Sequence, residues 1–376
     1  MKKKAFFVAA TGQHIGKTTT CLGLVSGLIK RFSKVGFIKP VGQEHVNTKA
    51  GLKVDKDALL FKEQFALLDD YTFISPVLFP KGFTRDFLDG NILEGDLEKK
   101  IIQSFNTISE DKECVIVEGT GHVGVGSIAK LSNAKVASLL GINMILIVSG
   151  GLGSAFDHLT LNKTLCDFYG VKIAGVILNR VFDDKREMVL KYMGKALSQW
   201  NIPILGCIPY DSFLSNPSMK DFEILFKTSL LSGKKHHMRH FLHTRLVAGS
   251  LEKFQEFTVP NQLVITPANR EDIILATLHK HLEMKEKEGC YDALKTGMIL
   301  TGDSFPKKSI VKKLNDADIP MLYAPLSSYE AMQRITSYTV KIRKEDKEKV
   351  KEAINLVESH IDFDKLIKAA ELSKNH

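Results

Sequence analysis

Long hydrophobic runs are missing from this 376-residue chain. The apolar stretch Met144–Val148 is closed by Ser149-Gly150-Gly151, well short of a membrane span. A basic start, Lys2-Lys3-Lys4, followed by Ala5–Ala10, fails as a signal peptide because Thr11-Gly12-Gln13-His14 cut it short. A cytoplasmic location with no membrane partner is the expectation. Cysteine is sparse: Cys21, Cys114, Cys166, Cys207 and Cys290 lie far apart, with no CxxC pair. That spacing suggests neither a zinc site nor a disulfide framework and predicts buried free thiols. Lysine and arginine outnumber acids 52 to 43, a net charge of +9, yet the excess is spread along the chain without an aromatic-interleaved basic stripe. A nucleic-acid-binding function therefore lacks its electrostatic footprint. Internal repeats and low-complexity segments are absent as well.

What is present suits two domains, since 44% hydrophobic residues can fill a core in each. Through residue ~210, short apolar runs alternate with helical patterns, the signature of a parallel sheet with covering helices. The strand candidates are Ala5–Ala10, Val35–Lys39, Cys114–Glu118, Met144–Val148, Val171–Leu178 and Ile202–Ile208. Being apolar at nearly every position, they read as strands buried on both faces. Helical spacing occurs at Thr18–Lys30, Ile128–Leu140, Asp157–Tyr169 and Lys185–Trp200. The fold class expected is α/β, a doubly wound and mostly parallel sheet over residues 1–230. The polar stretch Leu231–His236 reads as a linker. A second, smaller α/β domain is then expected over residues 237–376, with strands Gln262–Thr266 and Gly297–Thr301 and helices Glu271–His281 and Ser309–Asn315. A charged helix with Val350, Ile354, Val357 and Ile361 on one stripe closes it, a spacing that means packing against a body. His236, His237, His240 and His243 cluster near the start of this domain. Their helical spacing is imperfect, and a basic face explains them better than a metal site.

The chemistry concentrates in Ala9-Ala10-Thr11-Gly12-Gln13-His14-Ile15-Gly16-Lys17-Thr18-Thr19, where a buried strand runs into a turn ending Gly-Lys-Thr before a helix. A phosphate-binding loop requires that context. Glycines at 12 and 16 allow close approach, so successive N–H groups can point into one concavity, and the opening helix adds the positive end of its dipole. The turn from Thr11 to Thr19 is thus expected to hold ATP. Lys17 is placed for the terminal phosphates and the Thr18 hydroxyl for Mg²⁺. Magnesium favours carboxylate oxygens, and Glu118, at the carboxyl end of a strand, is a candidate ligand. Lys39, at the end of the second strand, can neutralise a phosphoryl or carboxylate in the crevice; an ion pair is the structural alternative.

The usual phosphate-loop pattern has a small residue at position 11, where Thr11 stands here between Ala10 and Gly12. That spacing, together with Lys39-Pro40-Val41 and Val117-Glu118-Gly119, resembles dethiobiotin synthetases and the matching module at the N-terminus of long bacterial phosphate acetyltransferases. The resemblance covers residues 4–217. It implies Asp57 as the second metal-binding acid, with a helix N-cap as the alternative. It also implies Lys39 as a catalytic residue beside Lys17, Asn179 as a reader of adenine and the Pro209 loop as a nucleotide contact. Gly42-Gln43-Glu44 and Gly119-Thr120-Gly121-His122 depart from that family on the acceptor side. Further on, Pro267-Ala268-Asn269-Arg270 and Thr301-Gly302-Asp303 resemble the DRTGG domain, with Asn269 and Asp303 departing from its pattern.

This order of modules is similar to the N-terminal part of a long phosphate acetyltransferase, with no sequence left to encode its acyltransferase domain. The resemblance implies an ATP- and Mg²⁺-dependent transfer of phosphate to a carboxylate or carbamate of an unidentified small-molecule acceptor. The alternative it carries is a nucleotide-sensing regulatory module. A homo-oligomer, as a dimer, is implied as well.

Overall fold

The computed structural model describes residues 4–48, 50–288 and 294–370. These form two compact units: one holds the chain as far as Asp211 and again from Ile342, and the other spans Ser212–Lys341.

The first unit opens with β1 (Lys4–Ala10), α1 (Lys17–Ile29) and β2 (Val35–Ile38). An insertion follows whose helices α2 (Lys56–Gln64) and α3 (Glu94–Ser109) are joined by two short helical segments, Tyr71–Ile74 and Phe83–Leu88, and the short strand Val77–Leu78 between them. Then come β3 (Cys114–His122), α4 (Asn133–Leu140), β4 (Met144–Ser149), α5 (Gly153–Phe168), β5 (Ile173–Val181), α6 (Arg186–Ser198) and β6 (Ile204–Pro209). The sheet order is β6-β5-β4-β1-β3-β2, and every neighbouring pair is parallel. All residues of β2 and the first seven of β3 are buried, as two-faced parallel strands require. The chain moves outward from β1 to β2 and then returns to build the other half, so the reversal lies beside β1. Ligand crevices of open parallel sheets form at such a reversal, beyond the carboxyl ends of the strands. All six expected strands are present, shifted at most a few residues.

Two features differ from the sequence expectations. Residues 231–236 were expected to link the domains, but Leu230–Ser232 is β7, an antiparallel edge strand of the second unit's sheet. Its polar composition misleads because Ser232 is buried and donates its hydroxyl to the Ile319 carbonyl at 2.6 Å. The helix α7 (Met219–Phe226) also belongs to this second unit. It opens with a Ser218–Asp221 capping box and sends Met219, Phe222 and Phe226 into the core beneath the sheet.

The rest of the second unit runs through β8 (His243–Leu246), β9 (Gln262–Pro267), α8 (Glu271–Glu288), β10 (Gly297–Thr301), α9 (Lys308–Asp316), β11 (Met321–Ala324) and α10 (Ser328–Ser337). Its sheet order is β7-β11-β10-β9-β8, parallel except for β7. One core, around Val264, Met298 and Met321, lies under α8 and α9; a second, around Leu263, Ile265 and Ile299, lies under α7 and α10.

The other difference is the closing helix. Residues 342 onward, expected to belong to the second domain, pack with the first. Here α11 (Lys347–Glu358) lies on α1, and α12 (Phe363–Ala369) lies against β5 and β6 with its first residue, Phe363, reaching α1. The fit depends on two glycines: a Cβ at Gly23 would fall 2.3 Å from Val357, and one at Gly27 would fall 2.0 Å from the Phe363 ring. Arg31 stacks its guanidinium 4.2 Å from the centre of that ring, and Gly206 bridges Ile361. With its Cys21, Leu22, Leu24, Val25 and Leu28 all at 0% exposure, α1 is apolar on all sides, between the sheet and the returning helices.

Candidate functional site

The loop between β1 and α1 takes the geometry its glycines allow. Gly16 has φ 91° and His14 φ 59°, both left-handed, so the turn closes directly onto the first residue of α1. Thr11 is buried, Gln13 and His14 form the exposed tip of the turn, and Gly12 and Ile15 beside it are half-buried, as are Gly16, Lys17, Thr18 and Thr19 at the start of the helix. Lys17 Nζ donates to the Gly121 carbonyl at 2.7 Å. Burial, and then the positive charge of Lys39, pull its pKa below the ordinary lysine value.

Facing this turn, β3 ends in an irregular stretch: Val8 pairs with Glu118, but Ala10 pairs with His122. Gly119-Thr120-Gly121 stand opposite Ala9 alone and form a bulge that aims the Gly121 carbonyl at Lys17. Glu118, at 0% exposure, accepts from the Thr18 hydroxyl at 3.2 Å and from Lys39 Nζ at 2.9 Å. Lys39, buried after β2, also donates to Asp57 at 2.6 Å. Asp57 is oriented by α2, whose first turn is capped by the buried Asp55 carboxylate accepting from the Asp57 N–H at 2.9 Å. Thus the helix-cap role considered for Asp57 belongs to Asp55, leaving the Asp57 side chain turned to Lys39.

Burial pushes the Glu118 carboxyl above its ordinary pKa despite the Lys39 charge. Asp57 behaves oppositely: burial opposes its ionisation, but the Lys39 ammonium outweighs it and holds the pKa down. For Lys39 itself burial disfavours the charge, and Asp57 with Glu118 more than reverse that, so it stays protonated. Asp55 is pushed up to about 7, by burial first. The cluster holds one buried cation among three carboxyls.

Two asparagines without a sequence motif fix this arrangement. Asn133 at the start of α4 accepts from the Thr120 N–H at 3.0 Å and donates to the Thr120 and His122 carbonyls at 2.8 and 2.7 Å, pinning the bulge. Asn162 in α5 donates to the Thr11 carbonyl at 3.1 Å and accepts from the Val123 N–H at 3.0 Å, tying the phosphate loop to the chain after the bulge. Their only sequence signal is an amide inside an apolar helical stripe, which alone names no partner. Asn179, at the end of β5, reaches the loop: its amide donates to the Ile15 carbonyl at 2.6 Å. Pro209 ends β6, two strands beyond β4 in the sheet.

The remaining sequence candidates stand apart. In the second unit Arg270 pairs with Asp272 at 2.8 Å and reaches the Gly249 carbonyl, while Gly302 turns the chain after β10 with φ 99°. His236 lies 2.9 Å from the Asp318 carboxylate, and His240 3.3 Å from the Asn216 carbonyl. Cys21, Cys114, Cys166 and Cys207 are buried free thiols, and Cys290 lies outside the described residues. Among the described residues no helix is long and apolar enough to cross a membrane.

A parallel sheet with its glycine turn after β1, Gly-Lys-Thr at the start of α1 and an acid on the neighbouring strand define a P-loop nucleoside triphosphatase domain, with a second, smaller α/β unit formed by Ser212–Lys341. The family model described as AAA domain (AAA_26) matches residues 4–218, and that described as DRTGG domain matches residues 225–338. The chain belongs to this AAA-domain family and carries a DRTGG domain behind it.

Phosphate acetyltransferase of Nitrosomonas europaea is 27% identical over 379 residues, covering 96% of this chain and 51% of that protein. The ATP-dependent dethiobiotin synthetase BioD of Nitrosopumilus maritimus is 26% identical over 216 residues, covering 57% of this chain and 93% of that protein. This chain spans about half the length of the phosphate acetyltransferases it matches. Among solved structures, the septum site-determining protein MinD of Pyrococcus horikoshii, complexed with Mg-ADP, is similar at 16% identity and a TM-score of 0.34, covering 57% of this chain and 84% of that one.

Proposed function

We propose that this protein binds ATP with Mg²⁺ in the turn Thr11–Thr19 and transfers the γ-phosphoryl group to a carboxylate or carbamate of a small-molecule acceptor. The observation that carries the reading is Lys39, a buried ammonium held between Asp57 and Glu118 at the mouth of the phosphate loop. A lysine buried merely for structure would gain little over an apolar residue of similar volume. Here its charge lies where a dianionic phosphoryl group and an anionic acceptor would meet.

The residues fit magnesium. Thr18, Asp57 and Glu118 supply hard oxygen donors, and Glu118 Oε2 is buried without a hydrogen-bond partner among the described residues. Magnesium held there would neutralise charge on the phosphate oxygens. Lys17 exchanges the Gly121 carbonyl for the terminal phosphates, and Lys39 stabilises the charge that spreads over the transferred group. The acceptor oxygen forms the new bond to phosphorus as the bond to the bridging oxygen breaks. ADP leaves with that electron pair, and a mixed carboxylic–phosphoric anhydride remains.

The similarity to BioD over the first domain supports this reading and suggests the first acceptor to try, the diaminononanoate precursor of dethiobiotin carbamylated by bicarbonate. ADP release that depends on both compounds in the wild type, and falls at least a hundredfold in Lys39→Ala, is the expected result. Tight ATP binding without acceptor-dependent turnover would remove it. A second reading, a nucleotide-responsive regulatory module, draws on the match of 96% of the chain to half of a phosphate acetyltransferase. It is the reading left standing by that negative outcome.

A further inference from the structure

A bulge leaves backbone groups outside the strand ladder, and each must find another partner or cost stability. In Gly119-Thr120-Gly121 one side chain meets most of that demand. The Asn133 carboxamide, 4% exposed, donates to the Thr120 and His122 carbonyls and accepts from the Thr120 N–H. Its own helix does not need it, because Ser132 caps α4 by accepting from the Lys135 N–H. The amide fits because residue 119 has no side chain: a Cβ on Gly119 would fall 2.7 Å from Asn133 Oδ1. The Thr120 hydroxyl adds a hydrogen bond to the Val41 carbonyl. Gly121 completes the turn at φ 61°, where a Cβ would fall 2.5 Å from Val125. The bulge is thus held by α4, by Val41 and by Val125.

What this conformation presents is the Gly121 carbonyl, 2.7 Å from Lys17 Nζ. A lysine carries its three donors on a flexible four-carbon stem, and ordering that stem opposes any bond the ammonium makes. Burial and the neighbouring Lys39 charge also work against the Lys17 ammonium. One N–H fixed on Gly121 leaves two for phosphate oxygens and keeps the charge beside the glycine turn. A group ordered in advance loses less freedom when it binds, so the contact favours the ligand instead of competing with it. That advantage lasts only while the bulge keeps its shape.

We propose that Asn133 is a positioning residue for phosphate binding: through the bulge it sets the Gly121 carbonyl, through that carbonyl the Lys17 ammonium, and so the affinity for the terminal phosphates. This rests on nucleotide binding at the phosphate loop. Asn133 itself acts on the backbone of β3 and only through it on the ligand. The amide is needed for its hydrogen bonds as well as its shape, since a carboxylate in its place would face two carbonyl oxygens without a proton to give them.

Titration calorimetry of Mg-ATP and Mg-tripolyphosphate into the full chain, together with NMR of the lysine ammonium groups, tests this. Asn133→Ala should weaken both ligands by about tenfold, the scale of one hydrogen bond to a charged group, and equally, since the base takes no part. The Lys17 ammonium signal, assigned by its absence in Lys17→Ala, should be that of a hydrogen-bonded group in the wild type and should shift or vanish in Asn133→Ala. Asn133→Asp should lose at least as much affinity. Melting curves show which variants are folded at the titration temperature, and Asn133→Ser is the milder change if Asn133→Ala does not fold. Wild-type affinity for both ligands in folded Asn133→Ala or Asn133→Asp would overturn the proposal. So would weakened binding with the Lys17 signal unmoved, the result of a general loosening, or a wild-type Lys17 signal without hydrogen bonding. Binding lost in Lys17→Ala but indifferent to Asn133 keeps the phosphate-loop reading and removes this role alone. If the wild type binds neither ligand, both fall together.

Discussion

A lysine at 4% exposure keeps its charge only where carboxylates face it, and Lys39 has two within 3 Å. The same burial acts oppositely on thiols. It pushes Cys114 and Cys166 up to about 12, since the thiolate is the charged form. At pH 8, well below that value, both remain protonated in the folded protein, whereas unfolding restores the ordinary thiol range and its thiolate fraction. Labelling by a thiol reagent at pH 8 should therefore leave Cys114 and Cys166 unmodified in the native protein and modify both once denaturant is added. Labelling of either in the native protein within minutes would show that its site opens locally. Residues such as Lys39 and Glu118 were legible because a charged side chain ending an apolar strand is conspicuous. Asn133 and Asn162 were not, because an amide in a helix gains its meaning from backbone groups distant in sequence.

At the scale of elements, α1 is the point where function and packing share one helix. Its first residues face the phosphate loop, and its glycines receive α11 and α12. Gly27→Ala gains about 1 kcal/mol of helix propensity but forces the Phe363 ring to move, an overpacking cost of about 1–3 kcal/mol. A fall of a few degrees in melting temperature is expected, and Phe363→Leu in the same chain should recover part of it. A rise in melting temperature for Gly27→Ala alone would contradict the packing described. The spacing of apolar residues over Thr18–Lys30 signalled a helix with a buried face, and the structure covers it on both sides. That spacing did not name the second covering. The Val350–Val357 stripe likewise showed that the last helix packs against something, and sequence order made the neighbouring domain the natural but wrong choice.

For the molecule as a whole, the second unit is an insertion in the chain, entered after β6 and left before α11. The first domain is consequently completed only by the last segment. A chain ending at Lys341 loses the burial of Val350, Ala353, Val357, Phe363 and Leu366 against it. At about 1.5–3 kcal/mol for each large apolar side chain, that is comparable to the ~5–15 kcal/mol stability of a typical domain. Calorimetry of the shortened chain should show the first domain's cooperative transition lost or moved down by more than about ten degrees. An unchanged transition would show that α11 and α12 are dispensable.

The sequence by itself determined the local matters: buried two-faced strands, the glycine turn with Lys17 and Thr18, and charged residues waiting at strand ends. These follow from side-chain period, backbone freedom and the cost of stranded charge, each of which acts over a few residues. Tertiary structure alone decided which carboxylates meet Lys39, that Asn179 grips the phosphate loop, that Leu230–Ser232 pairs as an edge strand and that the final helices return to α1. Those are contacts between segments far apart in the chain. They are set by complementary shape and by which buried polar groups can satisfy one another, neither of which is written in local spacing.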